Sequence, residues 1–327
     1  MSSPMDQEKT AFHAGEIAVQ ERAHGSGPGW RRAVSRVFRD TMPDQHRGFF
    51  ENQSVLFLGL LDRKGRVWAT PAFGETGFVR SPDARTLRVN AVPALHHELA
   101  FDMGEGAKIG VLGLELHSRR RNRLNGEFVK SGTDGFDIAV GQSFGNCPQY
   151  IQARAFDRQD RLTEPMEITH LNGLTEEVQA LVERADTFFI ASRVPEMTDD
   201  PRDGVDVSHR GGRPGFLGVT GKSTLSFPDF NGNRFFNTLG NIEADGRVGL
   251  YVPDFETGEA LFVTGRAVID WSPDRAETFA GARRIVDVTP EEILHVRNVF
   301  PAGGRLLEAW PGLEATGTWG EARGRGD

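Results

Sequence analysis

Gly215-Phe216-Leu217 followed by Thr224-Leu225-Ser226-Phe227 repeats, in spacing and in kind, Gly77-Phe78-Val79 followed by Thr86-Leu87-Arg88-Val89. The step from Gly215 to Leu225 equals the step from Gly77 to Leu87. Downstream, Ile109-Gly110-Val111-Leu112 leads to Leu124-Asn125-Gly126, and Val248-Gly249-Leu250-Tyr251 leads to Val263-Thr264-Gly265, again with equal spacing from Gly110 to Gly126 and from Gly249 to Gly265. Upstream, a polar amphipathic stretch precedes an apolar strand in each case: residues 44–53 before Val55-Leu56-Phe57-Leu58, and residues 175–184 before Phe188-Phe189-Ile190. Four matches in one order, with a single one-residue slip in the offset between them, indicate an internal duplication.

Within each copy, short apolar or alternating runs are broken by turns such as Asp62-Arg63-Lys64-Gly65 and Asp245-Gly246. Such spacing predicts an antiparallel, hairpin-rich unit that closes into an up-and-down or Greek-key barrel, because closure removes exposed strand edges. The fold class expected is mainly β with peripheral helices. Residues 11–40 read as helical, Asn146 to Arg158 as a helix entering the linker, and Ser272 to Phe300 as carrying two helical stretches. The expected division is an N-terminal helical extension (1–43), a first barrel (44–160), a second barrel (161–310) and a loose Gly- and Arg-rich tail (311–327).

A chain of 327 residues exceeds the usual size of a single core, which agrees with two units. The formal net charge of -8 argues against broad binding to nucleic acid or anionic membrane, both of which require a positive face. A single cysteine, Cys147, rules out an internal disulfide framework and paired-cysteine zinc sites. The N-terminal stretch from Met1 to Thr10 is polar and no window approaches the ~18 apolar residues needed to cross a bilayer, so a cytoplasmic protein is expected.

Function belongs where the copies diverge. After Leu225 the second copy reads Phe227-Pro228-Asp229-Phe230-Asn231-Gly232-Asn233-Arg234-Phe235-Phe236-Asn237-Thr238-Leu239-Gly240-Asn241-Ile242, whereas residues 90–107 of the first copy contain no Lys or Arg. Guanidinium, amide and hydroxyl donors together suit a phosphate ester, and Asn-rich turns capping a helix are the plain alternative. A second polar cluster, Asp206-Val207-Ser208-His209-Arg210-Gly211-Gly212, precedes Gly215-Phe216, so two strands could share one pocket. His209 and Arg210 are equally readable as a solvated turn. Arg119-Arg120-Arg121-Asn122-Arg123 reads as a solvated hairpin tip or as an anion clamp. Gly218 to Ser223 is not a P-loop, since a strand follows it, and no dinucleotide fingerprint is present. Adjacent His96 and His97 would face opposite sides of a strand and share no metal. Cys147 is either a packing residue or a thiol beside the ligand.

Taken in order, Asp206 to Gly211 with Gly215-Phe216, Phe227-Pro228-Asp229, Gly232-Asn233-Arg234, Asn237-Thr238-Leu239 and Asn241-Ile242 resemble the pyridoxamine 5'-phosphate oxidase-like, split-barrel flavin-binding family. Asn146-Cys147-Pro148-Gln149-Tyr150-Ile151-Gln152 resembles the Cys-containing helix after the barrel in that family, and Phe12-His13-Ala14-Gly15-Glu16 the opening of its two-barrel members. The resemblance spans roughly residues 12 to 285. It implies two tandem split β-barrels forming an intramolecular pseudo-dimer with one FMN per chain, held mainly by the second barrel. It implies that Arg210 and Arg234 serve the phosphate and that Asn233, Asn237 and Thr238 bond phosphate or ribityl oxygens. Ser208, His209, Pro228 and Asp229 would lie along the ring system, Asn241 would belong to the same cofactor set, and Gln149 and Tyr150 would reach it from the first half. An Arg-Lys pair and basic C-terminal segment for a substrate phosphate are absent, which sets pyridoxamine-phosphate oxidation itself in doubt.

The functions implied are an FMN-dependent oxidoreductase served by a small-molecule substrate or external electron donor, or a non-catalytic flavin-binding or redox-sensing module. An empty scaffold is the third. Sequence leaves open a deazaflavin in place of FMN and further pairing of two chains. No catalytic residue and no metal are assigned.

Overall fold

A computed structural model describes residues 10–155, 164–300 and 304–324. Its helices are α1 (Ala14–His24), α2 (Pro28–Ser35), α3 (Asp44–Glu51), α4 (His96–Leu99), α5 (Glu176–Arg184), α6 (Asn237–Ala244), α7 (Pro273–Glu277) and α8 (Trp319–Arg323). The first copy contains β1 (Val55–Leu61), β2 (Val67–Phe73), β3 (Val79–Asp83), β4 (Thr86–Val89), β5 (Lys108–Glu115), β6 (Arg120–Gly132) and β7 (Gly135–Gly145). After β8 (Ala153–Ala155) and β9 (Glu167–Leu171), the second contains β10 (Thr187–Arg193), β11 (Val205–Gly211), β12 (Gly218–Thr220), β13 (Thr224–Phe230), β14 (Arg247–Pro253), β15 (Ala260–Asp270) and β16 (Ala282–Arg297), and β17 (Arg305–Glu308) closes the series.

The strand order is the same in the two copies. One sheet runs β2-β1-β5-β6-β7-β4-β3 and the other β11-β10-β14-β15-β16-β13-β12, all antiparallel. β2 and β3, like β11 and β12, end the path, which is the seam of a split barrel. The chain is therefore a mainly β protein of two tandem split barrels.

How the copies meet follows from their sequences. Antiparallel strands usually show one wet face, yet β1, which is apolar throughout, and β10, apolar from Phe188 to Ala191, are buried along nearly their whole length. Each needs cover on both faces, and the other copy supplies it. Phe57 of β1 stacks on Phe189 of β10 with ring centres 3.5 Å apart and planes 11° apart. Around that stack the contacts come in equivalent pairs. A Cβ on Gly110 would fall 2.6 Å from the Val205 carbonyl of β11, and one on Gly249 would fall 2.5 Å from the Val67 carbonyl of β2. Gly249 occupies in the second copy the place that Gly110 has in the first, and Val205 opens β11 as Val67 opens β2, so the two contacts are related by the repeat. The copies thus form a pseudo-twofold pair inside one chain.

Several expectations need correction. The segment after β7 is not a helix. Tyr150 adopts a left-handed φ of 65°, which a continuing helix does not allow, and its carbonyl packs on the backbone of Gly211. Residues 156–158 of that expected helix lie outside the described residues. Only α7, capped by Ser272, is helical between Ser272 and Phe300. From Ala282 onward β-branched residues form the 16-residue β16, which pairs with β15, β13 and β9 and takes up Pro290 beside a bulge. His96 and His97 open α4 instead of occupying a strand. Asp245-Gly246 joins a helix to a strand, not two strands. Residues 120–123 lie in β6, and of the run only Arg119, at φ 60°, belongs to the turn. The tail is anchored, since Trp319 is buried and donates through Nε1 to the Ser226 carbonyl at 2.9 Å. In the N-terminal segment α1 packs on α6 where Gly15 crosses Gly240. No helix among the described residues is long and apolar enough to cross a membrane.

Candidate functional site

Between the copies lies a cleft. The second copy contributes Ser208 to Gly211 of β11, Pro228 to Phe230 of β13, the loop 231–236 and the first turn of α6. From the first copy come Leu112, Arg121, Arg123 and the segment from Asn146 to Tyr150.

Local sequence explains the walls. β12 pairs with β13 only as far as Ser226, so beyond that point one side of β13 is a free edge. There Pro228 is tolerated, since no ladder amide is required of it, and Pro228, Asp229 and Phe230 turn to the cleft. Gly211 is required because a Cβ there would fall 2.0 Å from the Tyr150 carbonyl. The loop then strains: Arg234 and Phe236 take φ values of 64° and 62°, a left-handed conformation that costs non-glycine residues about 1–3 kcal/mol. Phe236 occupies the N-cap of α6, where no side chain caps the helix, and the first turn faces the cleft. An uncapped helix start presents amide donors and the positive end of the dipole, an anion-attracting arrangement.

Behind the walls runs a buried hydrogen-bond chain. Arg123, 4% exposed, donates from Nε and Nη2 to the Val207 carbonyl at 2.9 and 2.6 Å, from Nη1 to Asn237 Oδ1 at 2.9 Å, and to Ser208 Oγ. Ser208 Oγ meets Thr238 Oγ1 at 2.8 Å, and Asn237 Nδ2 donates to Glu16 of α1. At the mouth, Asn233 donates to Asn146 Oδ1 at 2.8 Å and Tyr150 Oη to the Asn231 carbonyl at 3.1 Å. Both contacts join the copies.

Other groups are left without partners. His209 is buried with neither ring nitrogen hydrogen-bonded, and Arg210 Nε, Arg121 Nε and Asn146 Nδ2 are buried and unpaired. Among the described residues, four guanidinium groups line the cleft, at Arg121, Arg123, Arg210 and Arg234, against the single carboxylate of Asp229. Burial, followed by Arg123 and Arg210, pushes Arg121 down to about 9. Arg210 is lowered mainly by burial. Arg121 thus remains cationic at neutral pH. Burial, reinforced by Arg121 and Arg210, holds His209 well below the usual imidazole range, so it is neutral. Burial raises Asp229 although Arg210 and Arg284 oppose it. Unmet donors and excess positive charge in one cleft fit an anionic ligand whose oxygens accept hydrogen bonds.

Of the residues singled out from sequence, Ser208, His209, Arg210, Pro228, Asp229, Asn233, Arg234, Asn237, Thr238, Gln149 and Tyr150 all line this cleft. Asn241 does not. One turn further along α6, it is buried and donates to Ser192 Oγ at 3.0 Å. Arg121 and Arg123 were readable only as a tip or a clamp, although their spacing of two puts both on one face of a strand. Glu16 was quoted without a role. Among the described residues no group of three or more His, Cys, Asp or Glu gathers to hold a metal.

Neither a protein-family model nor a curated protein sequence matches the chain. Solved structures do match over one copy's length. A candidate pyridoxamine 5'-phosphate oxidase from Lactobacillus delbrueckii is 20% identical, with 38% of this chain aligned to 97% of that one at a TM-score of 0.30. The FAD binding protein from Mycobacterium smegmatis is 17% identical over 40% of this chain and 98% of its own, at 0.26. HupZ of Group A Streptococcus is 14% identical over 42% and 98%, at 0.29.

Proposed function

We propose that the cleft binds FMN, one per chain, and that the protein is a cytoplasmic flavin-dependent oxidoreductase acting on a small molecule or an external electron donor. The observation that carries this reading is the convergence of four guanidinium groups and the uncapped first turn of α6 on a cleft walled by Tyr150, Phe230 and Phe236. A phosphate monoester on a large planar ring system suits both features, and the sequence resemblance points to the same ligand. Arg210, Arg234, Asn233 and Thr238 would hold phosphate and ribityl oxygens. Ser208, His209, Pro228 and Asp229 would line the ring. The bound flavin would carry the hydride or electrons.

The chain's own residues bind, orient and exclude water. Arg123 ties β11 to α6 and so fixes Ser208 and Thr238 relative to one another. Neutral His209 can donate from one ring nitrogen and accept at the other. Tyr150 and Phe230, with ring centres 5.0 Å apart, form an aromatic part of the cleft wall.

The test is an absorption spectrum of the purified protein with FMN, beside Arg210→Met. Retained flavin absorbance in the wild type and a pale variant are expected. A wild type that takes up no FMN ends the reading. Reduction of the bound flavin by an added donor, followed by reoxidation by substrate, separates an enzyme from a non-catalytic flavin-binding module.

A further inference from the structure

Next to the cleft, and sharing Asn231 and Arg234 with it, lies a depression lined by Arg22, His24, Trp271, Arg283 and Arg284. Its positive groups come from separate elements, α1, the loop before α6, and β16. No carboxylate among the described residues lines it. Arg284 is only 4% exposed, and its Nε and Nη1 make no hydrogen bond. Its Nε is ion-paired with Asp229 Oδ2 at 3.4 Å, and no second carboxylate is paired with it among the described residues. Arg22 and Arg284 lie over the Trp271 ring at 4.2 and 4.9 Å from its centre, so the indole holds two like charges together.

Such a cluster needs a reason, because like charges repel and a buried guanidinium with unmet donors is costly. The C-terminus of α1 accounts for Arg22 and His24, which lie in its last turn and complement the helix dipole. It does not account for Arg234, Arg283 and Arg284. Their convergence shows at His24, which is pushed below its usual range by burial first and then by Arg234, Arg284 and Arg283.

We propose that this depression is a second anion site, which takes a diphosphate group beside the ligand of the cleft. Forked guanidinium donors match phosphate oxygens in pairs, and a diphosphate offers oxygens to all the guanidinium groups that converge here, Arg234 being shared with the cleft. Because Asn231 and Arg234 face both sites, a single ligand can span them. Two sources share this chemistry: the distal half of a flavin dinucleotide whose ring lies in the cleft, and a separate nucleoside diphosphate. Only the first depends on the flavin reading of the cleft.

The experiment is calorimetric titration of the full chain with sodium pyrophosphate and with ADP at low ionic strength. It compares wild type, the double variant Arg22→Glu/Arg283→Glu, and Arg123→Met. Arg22 and Arg283 are exposed, so charge reversal there buries no new charge. Saturable binding weakened by about tenfold or more in the double variant and retained in Arg123→Met is the expected result. Absent binding in wild type, or affinity unchanged by the double variant, overturns the second site. Loss in Arg123→Met alone overturns it too, since the anion would then sit in the cleft. Parallel titrations with FAD and FMN identify the source. An FAD advantage that the double variant erases points to a dinucleotide, and equal affinities with ADP still binding point to a separate ligand.

Discussion

The cleft has a counterpart related to it by the repeat, and the two have diverged in opposite directions. Strand registers match Ser208, His209, Arg210 and Gly211 of β11 with Thr70, Pro71, Ala72 and Phe73 of β2. They match Arg121 and Arg123 of β6 with Ala260 and Phe262 of β15. Where the first set leaves donors unpaired, the second is packed shut. Phe262 is fully buried against Tyr251 with ring centres 4.9 Å apart, and Phe300 lies 5.3 Å from Phe73 and 5.4 Å from Phe255. Thr70 spends its hydroxyl on the Ala94 carbonyl of its own copy. The helices differ likewise: α6 spans eight residues and carries α1 on its back, while α4 spans four. A symmetric pair of sites has become one polar site and one block of core. The lesson is that the fold tolerates either solution at this interface, each buried Phe contributing about 1.5–3 kcal/mol to the filled one.

The strongest way to break the comparison is to write the polar side into the packed one. Phe262→Arg would bury a guanidinium with no partner equivalent to Asn237, and stability should fall by about 3–5 kcal/mol, read from the urea midpoint. Wild-type stability in that variant would mean that the counterpart is not closed.

Next in size is a pH effect that only the polar side has. Burial raises Glu16 from 4.5 to about 7, though His13 works against it. In the unfolded chain the carboxyl ionises first, so unfolding releases a proton between those two values and stability declines as pH rises through that window. Relative to Glu16→Gln, the wild type should lose about 3 kcal/mol from pH 4.5 to 7 and stay level above. Parallel stability curves for the two proteins across that range would refute the burial of the Glu16 carboxyl between α1 and α6.

Arg123→Met makes the polar cleft resemble its counterpart. FMN affinity should drop about 100-fold, equivalent to about 2.7 kcal/mol, in a fluorescence titration. An unchanged affinity would remove Arg123 from the site. Smallest is Tyr150→Phe, which deletes the exposed 3.1 Å bond to the Asn231 carbonyl. Flavin affinity should change by less than about 1 kcal/mol; a larger loss would make the ring hydroxyl a ligand contact.

Much of the fold was legible because it rests on local signals. The Gly110 and Gly249 spacings and the apolar runs at Leu56 and Phe188 located the duplicated strands. The polar clusters at residues 206–212 and 227–242 were legible as well, because their composition departs from the other copy. What misled was propensity without context. Residues 282–297 contain helix-favouring Glu, Arg and Leu, but pairing with three strands overrode them. Residues 146–152 resembled a helix, yet the left-handed Tyr150 and the close crossing of its carbonyl at Gly211 hold them in an irregular turn.

By itself, the sequence determined that there are two copies, that both are β units, and that only one carries a phosphate-suited set of side chains, since period and composition are local properties of a chain. Only the tertiary structure decided that Arg121 and Arg123 face that set across the interface, that Asn241 turns away to Ser192, and that Glu16 closes the network behind Asn237. Those facts depend on strand register and on the meeting of segments distant in the chain, as where Arg123 reaches Val207 and Glu16 reaches Asn237, which no local pattern encodes.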